Sequence, residues 1–409
     1  MCGKNSENGA MRCGMNLCCS ASGFCGTTDL YCVNADPAGK TAPCQAGFGS
    51  CQTYPYPSCQ AGSGNINHRT IGYYQSGNVR NRKCNQVRPK QIRTTGYTHM
   101  FYAFSSFDPK TFQVRVDGND DVAMMKEFTG LSNNGGPKTW IAIGGSGFSA
   151  TAATHTAWSD MVSTKENRAA FISSLKTFMD MYGFTGVDLD WEYPGDPPSG
   201  GRKLQDTRNF PLLLQEMRAA YPSNYGISMT LPPDYAYLQW FDAKAMEQYV
   251  DFFNFMSYDL HTAKETQPNG KTQIKGQTDI SEIKTKTQPL WFAGLNPAKI
   301  NFGLAAYGRG YTLADPSCNR LLCPFSGPSI GGPCTNTTEG VISLAEIKAL
   351  IQEQHLTPKY LSEQMMKQIT WGNQWIGYDD EDTFAAKKAW ADGLCFGGSF
   401  VWSVDFETQ

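Results

Sequence analysis

The sequence predicts an α/β protein, a TIM-type (β/α)8 barrel with an inserted α+β subdomain between strands 7 and 8, preceded by a small disulfide-rich module. Three observations lead there. Nine of the 14 cysteines fall in the first 59 residues. From Ile71 onward, apolar runs of strand length alternate with amphipathic helices, the pattern of parallel β/α units. Eight such runs can be counted, the number that closes a barrel.

A chain of 409 residues exceeds what one core usually holds, so one large domain plus something smaller is expected. Hydrophobic residues make up 40% and charged residues 18%, a balance that can bury a sizeable core. With 35 basic against 37 acidic residues the net charge is −2, so no field draws in nucleic acid or an anionic membrane and a neutral partner is expected, bound by a monomer. No apolar run reaches the ~18 residues of a membrane span, and no apolar stretch at the start reads as a signal peptide. The cysteine density is nevertheless that of an oxidising compartment, so a secreted protein with a trimmed N-terminus is expected. Cytosolic zinc binding is the alternative, but only five histidines exist and none sits at ligand spacing beside a cysteine pair.

Residues 1–60, rich in Cys, Gly, Ser and Asn, form the module, 61–68 a linker, and 69–409 the barrel with its insertion at 310–372. Strands begin at Ile71, His99, Thr139, Gly186, Gly226, Phe252, Ile300 and Gly397. Phe171, Leu175, Phe178 and Tyr182 line one helix face, with Gly183 as the stop. Similar faces occur at Asp120 to Leu131, Phe210 to Ala220 and Ser343 to Gln354. Nearly ninety residues separate the last two strands, including Cys318, Cys323 and Cys334, too many for one crossover helix. The chain stops at Gln409 without a closing helix, a second sign of truncation.

The segment Gly186-Val187-Asp188-Leu189-Asp190-Trp191-Glu192 alternates strictly, placing Asp188, Asp190 and Glu192 on one side. Same-face neighbours sit about 6.6 Å apart along a strand, so these charges repel where water is scarce. A solvated acidic edge strand is the bland alternative, opposed by flanking Phe184 and Val187 and by the place fourth among eight. Crowded carboxylates cannot all ionise; one keeps its proton and can act as a general acid. Glu192, nearest the C-terminal end where barrel enzymes place their chemistry, is the candidate. Where two acids must face each other across a substrate, as in the common glycosidase schemes, acids from one strand do not fit, so any such chemistry here implies a different nucleophile.

Asp188-Leu189-Asp190-Trp191-Glu192-Tyr193-Pro194 resembles the signature of family 18 glycoside hydrolases, the chitinases, and the likeness extends from Arg69 to Phe406. It is nearest to the fungal kind related to killer-toxin α-subunits. The resemblance implies an endo-acting chitinase that cuts β-1,4 linkages with retention, the substrate's own acetamido carbonyl being the nucleophile, without metal or cofactor. Glu192 would protonate the leaving oxygen, Asp190 would orient the acetamide, and Asp188 would share a proton or hydrogen bond beneath it. Met256-Ser257-Tyr258-Asp259 resembles the sixth-strand motif, in which Tyr258 supports the acetamide oxygen and Asp259 contacts the sugar. Trp402 resembles the floor under the reacting sugar, while Tyr73, Phe104, Tyr193, Tyr307 and Arg309 resemble cleft-lining residues. Ala142-Ile143-Gly144-Gly145 resembles the third-strand glycine motif; a phosphate loop is the alternative, but no Gly-Lys-Ser or Gly-x-Gly-x-x-Gly pattern accompanies it. Thr185 departs from the motif's first aspartate, which would remove a buried carboxylate from the strand's base. Ser146, Gly77 and Lys264 stand where relatives often stack tryptophans on sugar, contacts worth about 1 kcal/mol each.

Cys2, Cys13, Cys18, Cys19, Cys25 and Cys32 resemble the hevein-type chitin-binding module, whose contacts map onto Ser20, Phe24 and Tyr31, with Ser22 in place of an aromatic. A purely structural knottin is the alternative. Cys44, Cys51 and Cys59 extend the module with pairing open. Chitin or chito-oligosaccharide is the expected partner. Three other readings compete: a chitin-binding lectin on an inactive barrel, a toxin subunit, and an endoglycosidase acting on N-glycans. Retention of Glu192 favours the enzyme over the lectin, and the module argues against the glycoprotein substrate.

Overall fold

The eight predicted runs are strands because each is largely apolar, as a sheet wrapped by helices requires. In the computed structural model, which describes residues 1–33, 43–60, 65–266, 270–335 and 339–407, they are β1 (Thr70–Gln75), β2 (His99–Phe107), β3 (Lys138–Gly144), β4 (Gly186–Asp190), β5 (Gly226–Leu231), β6 (Phe252–Phe255), β7 (Ile300–Ala305) and β8 (Gly398–Trp402). Every start lies within one residue of its expected place. Neighbours pair in parallel around the ring, and β1 joins both β8 and β2, so the barrel is closed and has no edge.

Helices cover the outside. Lys165–Tyr182 starts at Thr164, whose side chain accepts from the Asn167 N–H, and stops at Gly183, where φ is 84°. Gln205–Ala220 begins more than a turn before the expected Phe210. Its polar first turn reads as loop, yet Asp206 is buried there, accepting from the N–H groups of Gly195 and Arg202 and from Ser159 Oγ.

The insertion is an antiparallel sheet of Tyr307–Leu313, Phe325–Pro328, Val341–Ser343, Lys359–Leu361, Met366–Trp371 and Gln374–Tyr378, with the helix Leu344–Glu353 against it. It reaches beyond 310–372 at both ends, because its first strand follows β7 almost without a break. No helix among the described residues is long and apolar enough to cross a membrane.

All 14 cysteines are paired. Cys2–Cys19, Cys13–Cys25 and Cys18–Cys32 knit the module, Cys44–Cys51 closes its extension, and Cys59–Cys395 ties it to the barrel ahead of β8. Cys84–Cys334 joins the loop after β1 to the insertion, which Cys318–Cys323 braces. The expected linker at 61–68 is not free throughout: Ile66 is buried and its N–H donates to Asp392. Residues 61–64 lie outside the described residues. Further contacts seat the module: Tyr235 donates to the Gly14 carbonyl, Asn16 to that of Phe292, and Gln288 to that of Tyr54.

Candidate active site

The alternation read in β4 aims Asp188 and Asp190 into the barrel, with Glu192 just past the strand's end. Asp188, wholly buried, is held by three donors from three other strands: Tyr73 OH (2.7 Å), Ser228 Oγ (2.6 Å) and Asn254 Nδ2 (3.0 Å). Asn254 also donates to Tyr73 OH and accepts from Asn301, which in turn accepts from Arg69, so a polar network fills the barrel's axis. Above it, Thr230 Oγ1 donates to one oxygen of Asp190 (2.7 Å).

Burial pushes the Asp188 carboxyl up to about 6 against the pull of its three donors. Asp190 is driven well above the carboxylate range by burial, then by the charges of Glu192 and Asp188. Glu192 is raised to about 7, chiefly by desolvation and further by Asp259, while a hydrogen bond from Tyr193 works the other way. Three acids therefore share fewer than three charges at neutral pH. A carboxyl titrating near 7 at the open end of such a stack is suited to giving and retaking a proton.

Above these acids lies a cleft of about 320 Å³, lined by Phe104, Ser146, Asp190, Glu192, Tyr193, Pro233, Asp234, Tyr237, Met256, Tyr258, Asp259, Leu260, Glu265, Lys286, Tyr307 and Trp402. The rings of Phe104 and Trp402 stack at 5.5 Å, forming an apolar floor. Tyr258 is buried and its hydroxyl kept protonated by desolvation. Asp259 is clamped by Arg309 through two hydrogen bonds (2.6 and 2.8 Å) and by Tyr307 OH (2.6 Å). Four residues expected to line the cleft stand one layer behind it: Tyr73 beneath Asp188, Arg309 behind Asp259, and Gly144 and Gly145 at the end of β3. A Cβ on Gly144 would meet the Asp190 carbonyl at 2.2 Å, and one on Gly145 the Phe104 ring at 2.5 Å, so these glycines permit the close approach of three strand ends.

Thr185 corrects an expectation. The position is exposed at the base of β4, its backbone pairing with Thr139 and Gly226, so an aspartate there would sit in water rather than among buried carboxylates. Of the three positions expected to lack stacking rings, Ser146 lines the cleft, Gly77 lines the adjoining groove, and Lys264 pairs with Glu339. Sequence reasoning missed Tyr237, whose ring stacks on Tyr193 at 4.2 Å, along with Asp234, Glu265 and Lys286. The aromatic run Tyr235-Ala236-Tyr237 was the available signal.

In the module, Phe24 stands out at 55% exposure. Ser20 is buried, its Oγ taken up by the Phe24 N–H (3.1 Å) and Ser22 Oγ (3.1 Å), and Tyr31 packs its ring onto Gly26. The group of potential metal ligands found among the described residues, Cys2, Cys13 and Cys25, is wholly disulfide-bonded.

The pattern of the glycosyl hydrolases family 18 matches residues 69–407, and that of the chitin recognition protein matches residues 1–60. The chain belongs to glycosyl hydrolase family 18. Within this family it is similar to the secreted chitinase LysM12 of Penicillium expansum (25% identical, 97% of this chain and 27% of that protein). It is also similar to mouse chitotriosidase-1 (29%, covering 78% and 69%) and to the Kluyveromyces lactis killer toxin subunits alpha/beta (30%, covering 82% and 28%). The chain spans about a third of the length of the Penicillium expansum proteins it matches. Among solved structures it superposes on the Trichuris suis chitinase TsES1 (TM-score 0.72, 28% identity, 83% of this chain and 92% of that one). It shares its fold with human YKL-39, a pseudo-chitinase that retains chitooligosaccharide binding (TM-score 0.71, 21% identity, covering 83% and 93%).

Proposed function

We propose that this family 18 protein is an extracellular chitinase that cuts internal β-1,4 linkages of chitin with retention, residues 69–409 cutting and residues 1–60 holding the polymer. The observation that carries the reading is the raised Glu192 carboxyl above Asp190 and Asp188 in a cleft with an aromatic floor. The protonated Glu192 gives its proton to the glycosidic oxygen as the bond to the anomeric carbon breaks. The acetamido carbonyl oxygen of the same sugar bonds to that carbon from the other face, with the N–H facing Asp190 and the oxygen facing Tyr258. Glu192, now a carboxylate, takes a proton from water as the water oxygen bonds to the anomeric carbon and the bond from that carbon to the acetamido oxygen breaks, which restores the starting configuration. Thr230 holds Asp190 in place, and the charge of Asp188 beneath it helps keep Asp190 protonated. Seven disulfides and a secreted relative support the extracellular setting.

The test is release of soluble oligosaccharides from colloidal chitin by the protein and by Glu192→Gln. Release by the first and not the second is expected. Equal release by both would refute the role of Glu192, and retention on chitin without release by either would make the protein a lectin.

A further inference from the structure

The cleft's wall does not end at Tyr237. The loop after β5 turns, the Trp240 N–H donating to the Tyr237 carbonyl at 3.1 Å, and carries Trp240 into a second groove of about 1040 Å³. One wall of this groove is barrel, with Lys203 and Leu204 from the loop after β4 and Trp240 from that after β5. The facing wall is the N-terminal module, with Asn8, Ala10 and Met11. A Cβ on Gly195 would stand 2.5 Å from Trp240, so the indole lies flat on the backbone that leads from Glu192 and Tyr193. Trp240 is half-buried, and the ammonium of the exposed Lys203, which lines the same groove, lies 5.6 Å from the ring centre and can be exchanged for a sugar. Leu204 adds an exposed apolar surface beside it.

We propose that this groove binds a stretch of β-1,4-linked N-acetylglucosamine continuous with the strand in the cleft, so that module and barrel grip one polymer together. The inference rests on the chitin reading above. Charges of both signs border the groove (Arg12, Lys203 and Lys244 against Glu7 and Asp242), which suits a neutral polar ligand rather than an ion. The indole of Trp240 and the side-chain amides of Asn8 and Gln239 line the groove, the mixture of ring and polar groups that suits a pyranose with hydroxyl and acetamide groups. Both walls belong to units matched to carbohydrate families. They are fixed to each other by Cys59–Cys395 and by the Tyr235–Gly14 hydrogen bond, so the groove is preformed and little ordering opposes binding.

The experiment compares KM for N-acetylchitotetraose and N-acetylchitohexaose in the full chain and in Ala10→Trp, which fills the groove from the module side. The hexaose-to-tetraose KM ratio should rise about tenfold in this variant, the equivalent of one lost ring contact. Trp240→Ala should raise the same ratio. Should Trp240→Ala fail to fold or disturb Tyr193, Ala10→Trp decides alone; an unchanged ratio there overturns the proposal. If the wild type turns over neither oligosaccharide, the catalytic reading fails separately, and calorimetry of hexaose binding decides: weaker binding in Ala10→Trp supports the groove, equal binding overturns it.

Discussion

In the barrel, Asp188 is positioned by donors from β1, β5 and β6, strands far apart in sequence. In the module, Phe24 sits between Cys19, bonded to Cys2, and Cys25, bonded to Cys13, and is positioned by Ser20, four residues away. The first arrangement needs a closed barrel before it exists; the second needs only the local crosslinks. Burial also differs: the barrel's acids are stacked in a dry interior that shifts their protonation, whereas the module's aromatic stands in water where contact area is its contribution. A long-range network can tune chemistry, and a stapled loop can present a surface.

This contrast can be broken most sharply at Glu192. Glu192→Gln is expected to lower chitin turnover by about 10³-fold or more while leaving retention on chitin intact; a loss of retention instead would show that the two regions are not separable. Next in size is Asn254→Leu, which strips a donor from Asp188 and a partner from Tyr73 and Asn301. It should destabilise the barrel by about 2–3 kcal/mol and lower kcat, measured by denaturant unfolding and by oligosaccharide kinetics. The acidity of the site sharpens the comparison further. Because Glu192 must be protonated to act, and burial and Asp259 raise it to about 7, activity should fall as pH rises through 7. Its raised pKa means that ionisation in the folded state is disfavoured, a penalty absent below about 4.5 and complete above 7. Glu192→Gln should therefore melt higher than wild type at pH 8 and equally at pH 4. His261 has the opposite sign. Burial lowers its pKa, but Glu265 and Glu282, each at 2.8 Å, win and raise it to about 8. The stability it contributes is present below about 6.5 and lost as pH rises through 8, an effect His261→Gln should remove from the Tm profile. The smallest expected effect is in the module: Phe24→Ala should weaken retention on chitin by about 1 kcal/mol, roughly fivefold, without changing turnover of short soluble oligosaccharides.

Much of the molecule is legible in its sequence. The β4 acids announced themselves because a period-2 pattern of charge inside an apolar run has few structural explanations. The adjacent pair Cys18-Cys19 within six spaced cysteines did the same for the module. Less legible was anything assembled across the chain. Tyr73 and Arg309 look like cleft residues in sequence, and only their partners reveal that they stand behind Asp188 and Asp259. Thr185 looks in sequence like part of the buried strand, whereas it stands just before β4 and is open to solvent.

What the chain determined by itself is the order and length of its strands, the face on which the acids lie and the loops its cysteines close, since each depends on residues a few positions apart. Three things waited for the tertiary structure: the protonation of those acids, the layer in which each supporting side chain stands, and the seating of the module against the barrel through Cys59–Cys395. Desolvation and long-range pairing are properties of the closed barrel, and no local pattern encodes the distance between residues hundreds of positions apart.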